Sequence, residues 1–411
     1  EELSQPELRL GGIRINPHTN GRSRTSYYTG IVIKDIWSGK QKVVKGIPKG
    51  GRISSVNWAP DGQHIAMTVT HGNQITLYMA NVKSGKAKQI LKTPLNGIYG
   101  STYYWLSNGK SLLAKTILKG RRNLPQKVTV PSGPVIQENA GQKSPARTYQ
   151  DLLANAHDET LFEYYMTAQV VHVTLRGKVK NIGKPGIIRR AEPSPNGDYI
   201  LMETIHRPYS YLIPVYRFPT LIEVIDVDGN QIKLLRDMPL ADTIPIGRDA
   251  VIDGPRSFGW RSDVGATIYY VNALDGGNPQ NKVPYQDEVF TLAAPFKGVP
   301  KSLIKLPLRY SGVRWGNGSI ALVSDRQWTQ RRTTAWRVNP STGETEKIID
   351  RSYEDRYNDP GSPISTLNQY GRSVLHIQDG STLLMSGIGA SPEGDKPFLD
   401  QFNMDTKQTK R

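Results

Sequence analysis

The sequence predicts an all-β protein built as a β-propeller, and three observations carry that expectation. The first is a phrase that returns six times ahead of a short apolar strand. Its clearest copies are Asn57-Trp-Ala-Pro-Asp-Gly-Gln-His-Ile-Ala, Tyr104-Trp-Leu-Ser-Asn-Gly-Lys-Ser-Leu-Leu and Glu192-Pro-Ser-Pro-Asn-Gly-Asp-Tyr-Ile-Leu. Gly259-Trp-Arg-Ser-Asp-Val-Gly and Arg314-Trp-Gly-Asn-Gly-Ser follow, and Leu367-Asn-Gln-Tyr-Gly-Arg is the weakest. The second observation is the spacing. Counted from Trp58 through Trp105, Glu192, Trp260 and Trp315 to Asn368, the steps are 47, 87, 68, 55 and 53 residues. A period of roughly 40–55 residues made of strands and turns marks a propeller, and longer steps hold insertions. The third is the hairpin that closes each unit on a glycine turn.

Taken in chain order, residues 1–27 read as an N-terminal extension and residues 28–411 as the propeller, holding about six units and a first hairpin. Hairpins are expected at 31–37 with Ser38-Gly39, 77–82 with Ser84-Gly85, 222–227 with Asp228-Gly229 and 335–338 with Thr342-Gly343. The pairs at 61–62, 108–109 and 196–197 do the same for the earlier turn of a unit. Glycine supplies the positive φ these turns need. One acidic side chain per turn gives too few oxygens for calcium, so the Asp and Asn residues read as turn formers. Trp58, Trp105, Trp260 and Trp315 recur at one place in the unit, which reads as packing between neighbouring blades.

Two segments break the pattern. Residues 147–172 carry apolar positions at intervals of three and four, with Tyr149, Leu152, Leu153, Leu161, Tyr164, Tyr165 and Ala168, and predict a helical insertion that accounts for the 87-residue step. Residues 203–219 form an aromatic, proline-rich excursion between two strands, of the kind that carries binding groups.

Composition narrows the function. The chain has 411 residues, no cysteine and a formal charge of +17, from 53 basic and 36 acidic side chains. Disulfides and thiol chemistry are therefore excluded, and no run reaches the ~18–20 apolar residues of a membrane span. The basic residues are scattered, with Lys119-Gly-Arg-Arg the tightest group, and no aromatic-interleaved basic stripe points to nucleic acid. The start at Glu1, without methionine or a signal-type apolar stretch, reads as a mature or trimmed form. No Gly-x-Ser-x-Gly, His-Glu-x-x-His, P-loop or dinucleotide fingerprint occurs. The seven histidines, at 18, 64, 71, 157, 172, 206 and 376, lack ligand spacing. No cofactor or metal is expected.

Longer phrases point to a family. Val130-Pro-Ser-Gly-Pro-Val-Ile-Gln-Glu-Asn with Ala146-Arg-Thr-Tyr-Gln-Asp-Leu-Leu comes first. His206-Arg-Pro-Tyr-Ser-Tyr-Leu-Ile-Pro-Val-Tyr-Arg-Phe-Pro, Pro255-Arg-Ser-Phe-Gly-Trp-Arg-Ser-Asp, Tyr269-Tyr-Val-Asn-Ala-Leu-Asp-Gly-Gly-Asn-Pro and Ser352-Tyr-Glu-Asp-Arg-Tyr-Asn-Asp-Pro-Gly-Ser-Pro follow. In this order, over about residues 28–405, they resemble the N-terminal propeller of glutamyl endopeptidase-type serine peptidases of the prolyl oligopeptidase family. The resemblance implies a propeller of about seven blades that caps a C-terminal α/β-hydrolase domain of the same polypeptide. It also implies a peptide substrate cut after glutamate or other acidic residues, and a periplasmic or secreted location.

The hydrolase domain is absent from these residues, so the chain reads as an incomplete ring and a fragment of a longer molecule, and no catalytic residue carries over. A glutamate side chain calls for a guanidinium, whose fork matches a carboxylate. Arg207, Tyr209, Tyr211, Arg217, Arg256 and Arg261 are the substrate-binding candidates. The competing expectation for Arg207 is a pairing with a neighbouring carboxylate that fixes its loop. Two other functions compete: a stand-alone propeller that binds a protein or peptide partner, and a sugar- or anion-binding module.

Overall fold

The structure, a computed structural model, describes residues 4–127, 148–245 and 247–411. The chain divides into two compact units, Glu1–Pro193 with Gly197–Thr243, and Ser194–Asn196 with Ile244–Arg411. Each is built of antiparallel blades, the architecture expected of a β-propeller.

The first unit opens with a three-stranded sheet, Leu8–Leu10, Ile13–Asn16 and Gly21–Arg22, and a two-stranded hairpin, Val32–Lys34 with Gln41–Val43. A four-stranded blade follows: Arg52–Trp58, His64–His71, Gln74–Asn81 and Lys86–Leu91. The next two blades are joined because one long strand, Val179–Pro193, serves both. It closes the blade of Tyr103–Trp105, Ser111–Thr116 and Ala168–Thr174, and opens the blade of Tyr199–Ile205, Thr220–Asp226 and Gln231–Met238. The second strands are apolar at nearly every position because both faces are covered, as at Ile65–Val69 and Leu112–Ala114. Ala66, Leu77 and Met79 of one blade share a core with Leu112, Ala114, Val171 and Val173 of the next.

The second unit holds the blade Pro255–Trp260, Thr267–Ala273, Asp287–Ala293 and Lys301–Leu306, then the blade Arg309–Asn317, Ile320–Gln327, Arg332–Val338 and Thr345–Ser352. Its last blade is irregular: Thr382–Gly387 pairs with Phe398–Asn403, Ser362–Pro363 and Ile377–Gln378, and Phe398–Asn403 pairs with Thr409–Lys410.

Antiparallel order gives each blade two unlike ends. The turns between first and second, and between third and fourth, strands leave one end, and they are short. There Asp35 Oδ1 accepts from the Ser38 amide at 2.7 Å, Asn81 Oδ1 from the Ser84 amide at 2.9 Å, and Asn108 Oδ1 from the Lys110 amide at 2.8 Å. The connections between second and third strands, and onward from the fourth, leave the other end. These include the long segments 92–102, 206–219, 274–286 and 353–361, and the described residues 117–127, 148–167, 239–245 and 247–254. We call them the tight-turn end and the long-loop end.

The expected helical insertion is present, and the structure sharpens its bounds and corrects the equivalence of the tryptophans. The helical insertion is shorter than 147–172: helix α1 spans Ala156–Met166, and Asn155 caps it by accepting from the Asp158 amide. Residues beyond it form the strand Ala168–Thr174, where Val170, Val171 and Val173 pair with Ser111–Thr116 rather than extending a helix. The tryptophans are not equivalent: Trp260 and Trp315 are buried and Trp105 half-buried, but Trp58 is 53% exposed. The phrase at 130–139 lies outside the described residues. Residues 8–22, within the expected N-terminal extension, are packed: Leu10, Ile13 and Ile15 share a core with Phe162 and Tyr165 of α1 and with Val215 and Phe218.

Candidate functional site

The six candidates fall in three places. Four belong to the long-loop end of the first unit, in or beside the connection 206–219. Helix α1 supplies Glu159 and Glu163, one turn apart and so on one face. The Arg207 Nε–H donates to Glu163 Oε1 at 2.8 Å and its Nη1 donates to Glu159 Oε2 at 2.5 Å. The Tyr209 hydroxyl donates to the same Glu163 oxygen at 2.9 Å, and the Arg207 guanidinium carbon lies 4.8 Å from the Tyr209 ring centroid. Tyr209 in turn stacks on Phe218 and meets the edge of buried Phe162, with centroids 5.4 and 5.1 Å away. The hydrogen bonds of Glu163 and Glu159 hold the Arg207 proton more tightly than usual. Burial, with the Glu163 contact second, pushes the Tyr209 phenol up; burial and then Glu159 do so for Tyr211. Arg217 donates to the Ala241 carbonyl at 3.2 Å and lies 5.9 Å from the Tyr149 ring. The arrangement clamps an aromatic loop to a helix.

Arg256 begins the first strand of its blade and is buried. Its Nη2 donates to Asp287 Oδ2 at 2.6 Å, and Arg309 Nη1 donates to Asp287 Oδ1 at 2.8 Å. Arg309 also pairs with Asp275, and the Tyr310 amide donates to Asp287 Oδ2 at 2.7 Å. Burial lowers the Arg256 pKa despite Asp287. Arg256 Nη1 is buried without a hydrogen-bond partner. Arg261 follows the same strand and therefore sits at the opposite, tight-turn end. It forks onto Asp263 at 3.1 and 2.7 Å and covers the Trp315 ring at 4.7 Å.

One group escaped the sequence reading: Lys115, buried on Ser111–Thr116, with the Arg22 charge acting on it. Its signal was present, since a lysine stands in a strand whose other five residues are also buried. A separate cavity of about 170 Å³ in the second unit is walled largely by Leu322, Ile348, Leu383, Met385 and Phe402, away from all six candidates. Among the described residues no group of three or more His, Cys, Asp or Glu side chains could hold a metal ion. No helix among them is long and apolar enough to cross a membrane.

Comparison with known proteins supplies its relatives. A probable chloroplastic glutamyl endopeptidase of Oryza sativa subsp. japonica is 40% identical over 100% of this chain and 46% of its own length. Over its whole length the chain is similar to proteins named glutamyl endopeptidase. A probable chloroplastic glutamyl endopeptidase of Arabidopsis thaliana is 37% identical over 100% of the chain and 45% of the relative. The chain spans about half the length of the curated relatives it matches. A solved prolyl endopeptidase covers 99% of this chain and 49% of its own at a TM-score of 0.51 and 10% identity, a likeness of fold alone. No family model matches the chain. The expected periplasmic or secreted location is corrected: both glutamyl endopeptidase relatives are named as chloroplastic.

Proposed function

We propose that this chain is the propeller portion of a serine peptidase that cuts peptides beside acidic residues, and that its long-loop ends wall the space where substrate lies. The observation that carries the reading is the 40% identity held across the whole chain to a protein named glutamyl endopeptidase. The nucleophile, base and orienting acid would come from an α/β-hydrolase domain of the same polypeptide. The propeller would select substrate and exclude water.

Within this reading the loop 206–219 is a braced wall. Arg207 has one carboxylate at Nε and another at Nη1, so its charge is already more than balanced. A substrate carboxylate would have to displace Glu159 or Glu163 to be read by it. Arg207, Tyr209 and Glu163 accordingly hold the loop in place, and Tyr211 and Arg217 extend the same wall. Arg256 and Arg261 are occupied by Asp287 and Asp263 and serve their own blades.

The test uses the full-length protein and fluorogenic peptides that differ only by Glu or Gln at one position. Cleavage after Glu, abolished by a serine-directed fluorophosphonate, is the expected result. Binding of the Glu peptide without cleavage would favour a stand-alone binding propeller instead. In the same assay Arg207→Ala raises KM for both peptides alike; a rise confined to the Glu peptide would make Arg207 the reader of the substrate carboxylate.

A further inference from the structure

At the long-loop end of the second unit, three arginines and two aromatic rings are linked in one cluster. The Arg248 and Arg331 guanidinium carbons lie 3.9 and 4.0 Å from the Trp328 ring centroid, and that of Arg326 lies 3.8 Å from the Tyr353 centroid. Arg331 joins the two rings, because its Nη1 donates to the Tyr353 hydroxyl at 3.2 Å. That hydroxyl donates in turn to the Trp328 carbonyl at 3.3 Å. Backbone contacts fix the platform. The Trp328 amide donates to Asp249 Oδ2 at 2.9 Å, and the Tyr353 amide to the Arg331 carbonyl at 2.8 Å. Arg309, from the buried network of Asp275 and Asp287, donates to the Asp249 carbonyl at 2.9 Å. Asp249 and Arg331 both hold positive φ, +66° and +54°. Such a conformation costs energy for residues other than glycine and persists where the surroundings over-determine it.

A ring face attracts a guanidinium's charge but leaves its N–H donors for other acceptors. Among the described residues neither Arg248 nor Arg326 is paired with a carboxylate, and the Arg248 side chain has no hydrogen-bond acceptor. Arg331 differs, since it pairs with Glu354 at 3.2 Å. Forked donors of this kind are matched best by a carboxylate. We propose that Arg248 and Arg326, seated on Trp328 and Tyr353 at the long-loop end of the second unit, form a subsite for acidic side chains of a peptide. This rests on the reading of the protein as a peptidase acting beside acidic residues, and names where that preference resides. Arg248 and Arg326 make the contact. Arg331, set between the two rings and held by Glu354, is a positioning residue.

The electrostatics of Tyr353 agree with this placement. Desolvation raises its pKa, but the hydrogen bonds and charges of Arg326 and Arg331 outweigh it and leave the phenol below its ordinary value. The position therefore favours negative charge. Arg248 and Arg326 are both exposed, so an arriving side chain meets them without displacing a carboxylate. Exposure also means that salt screens the attraction, and preference for an acidic peptide shrinks as ionic strength rises.

The experiment measures cleavage by the full-length protein, at low ionic strength, of two fluorogenic peptides that differ only by Glu or Gln at one position. Both are amidated at the C terminus, so the side chain is the sole carboxylate that distinguishes them. Wild type prefers the Glu peptide roughly tenfold in kcat/KM, the size of one charge-assisted hydrogen bond gained. Arg248→Gln combined with Arg326→Gln brings the preference down to about threefold or less, through KM for the Glu peptide, and leaves the Gln peptide as it was. Lysine at both positions keeps the charge without the fork and retains part of the preference. Lys297→Gln combined with Lys396→Gln, an equal change in net charge elsewhere in the unit, leaves it intact. An unchanged preference in the doubly substituted arginine variant overturns the subsite while leaving the acidic-peptide reading standing. Equal losses for the two peptides also overturn it, and make the cluster a support of the fold alone. No Glu preference in wild type overturns the acidic-peptide reading itself.

Discussion

Replacing Asp287 by asparagine isolates a buried charge network whose worth can be worked out contact by contact. Asp287 is fully buried and accepts from three donors: Arg256, Arg309 and the Tyr310 amide, at 2.6, 2.8 and 2.7 Å. Asparagine keeps the volume but removes the charge, and its amide faces guanidiniums with donors where acceptors are needed. Two buried cations are then left with Asp275 alone, which pairs with Arg309. Breaking a buried ion pair from one side costs about 3–5 kcal/mol, since the remaining charge keeps its desolvation penalty. The companion change is Arg256→Met. It removes a guanidinium whose Nη1 is already buried without a partner, and leaves Asp287 with Arg309 and the Tyr310 amide. Two terms nearly cancel there, so the expected loss is within about 1 kcal/mol. The assay is urea unfolding followed by tryptophan fluorescence, with Trp260 and Trp315 as the buried reporters in this unit. Equal losses in the two variants, or an Asp287→Asn loss below about 1 kcal/mol, would refute the reasoning.

Three further outcomes follow from the same coordinates. Gly100→Ala, at φ +66° with its Cβ 2.1 Å from the Arg189 carbonyl oxygen, loses at least ~2 kcal/mol, read by thermal melting. Lys115, lowered to about 7 in the folded chain, binds fewer protons there than when unfolded. Stability therefore rises with pH from about 7 toward the ordinary lysine value near 10, by up to about 1.4 kcal/mol per unit, and Lys115→Met flattens that slope in denaturant titrations. Asp350, held down to about 2 by Arg332 and then Lys347, contributes above its ordinary carboxylate pKa and loses that contribution as pH falls through about 2. Because Arg332 is half-exposed, Asp350→Asn costs no more than about 1 kcal/mol at neutral pH and nothing at pH ~1.5.

The sequence showed the blades because their information is local. A glycine turn three or four residues after an Asx acceptor fixes a hairpin here, and Asn81, Asp226 and Asn339 all accept from the amides that follow them. The end of α1 was hidden, because Ala168-Gln-Val-Val-His-Val fits either period until its partner strand Ser111–Thr116 is known. Trp58 misled for a related reason. Trp105 leans back on the preceding blade, its Nε1 donating to the Asn57 carbonyl, and Trp315 meets Tyr269 of the blade before it. Trp58 follows the short pair Val32–Lys34 and Gln41–Val43 instead of a four-stranded blade, and it is exposed. The partners of Arg207 were beyond reach from sequence, since Glu159 and Glu163 come from a helix 44 to 48 residues upstream.

Charge balance shows how the buried arginines hold the fold. At the long-loop end of the second unit, Arg256 and Arg309 face Asp275 and Asp287, two cations against two carboxylates, and the cluster is closed. Arg207 faces Glu159 and Glu163, one cation against two carboxylates, which repels an acidic substrate rather than drawing it. Around Glu203, Arg189 and Arg190 each reach the buried carboxylate at 3.3 Å, and Lys115 donates to the Ile188 carbonyl. At Arg207 an arriving carboxylate would have to displace Glu159 or Glu163, so the loop it braces is held by charges already in place.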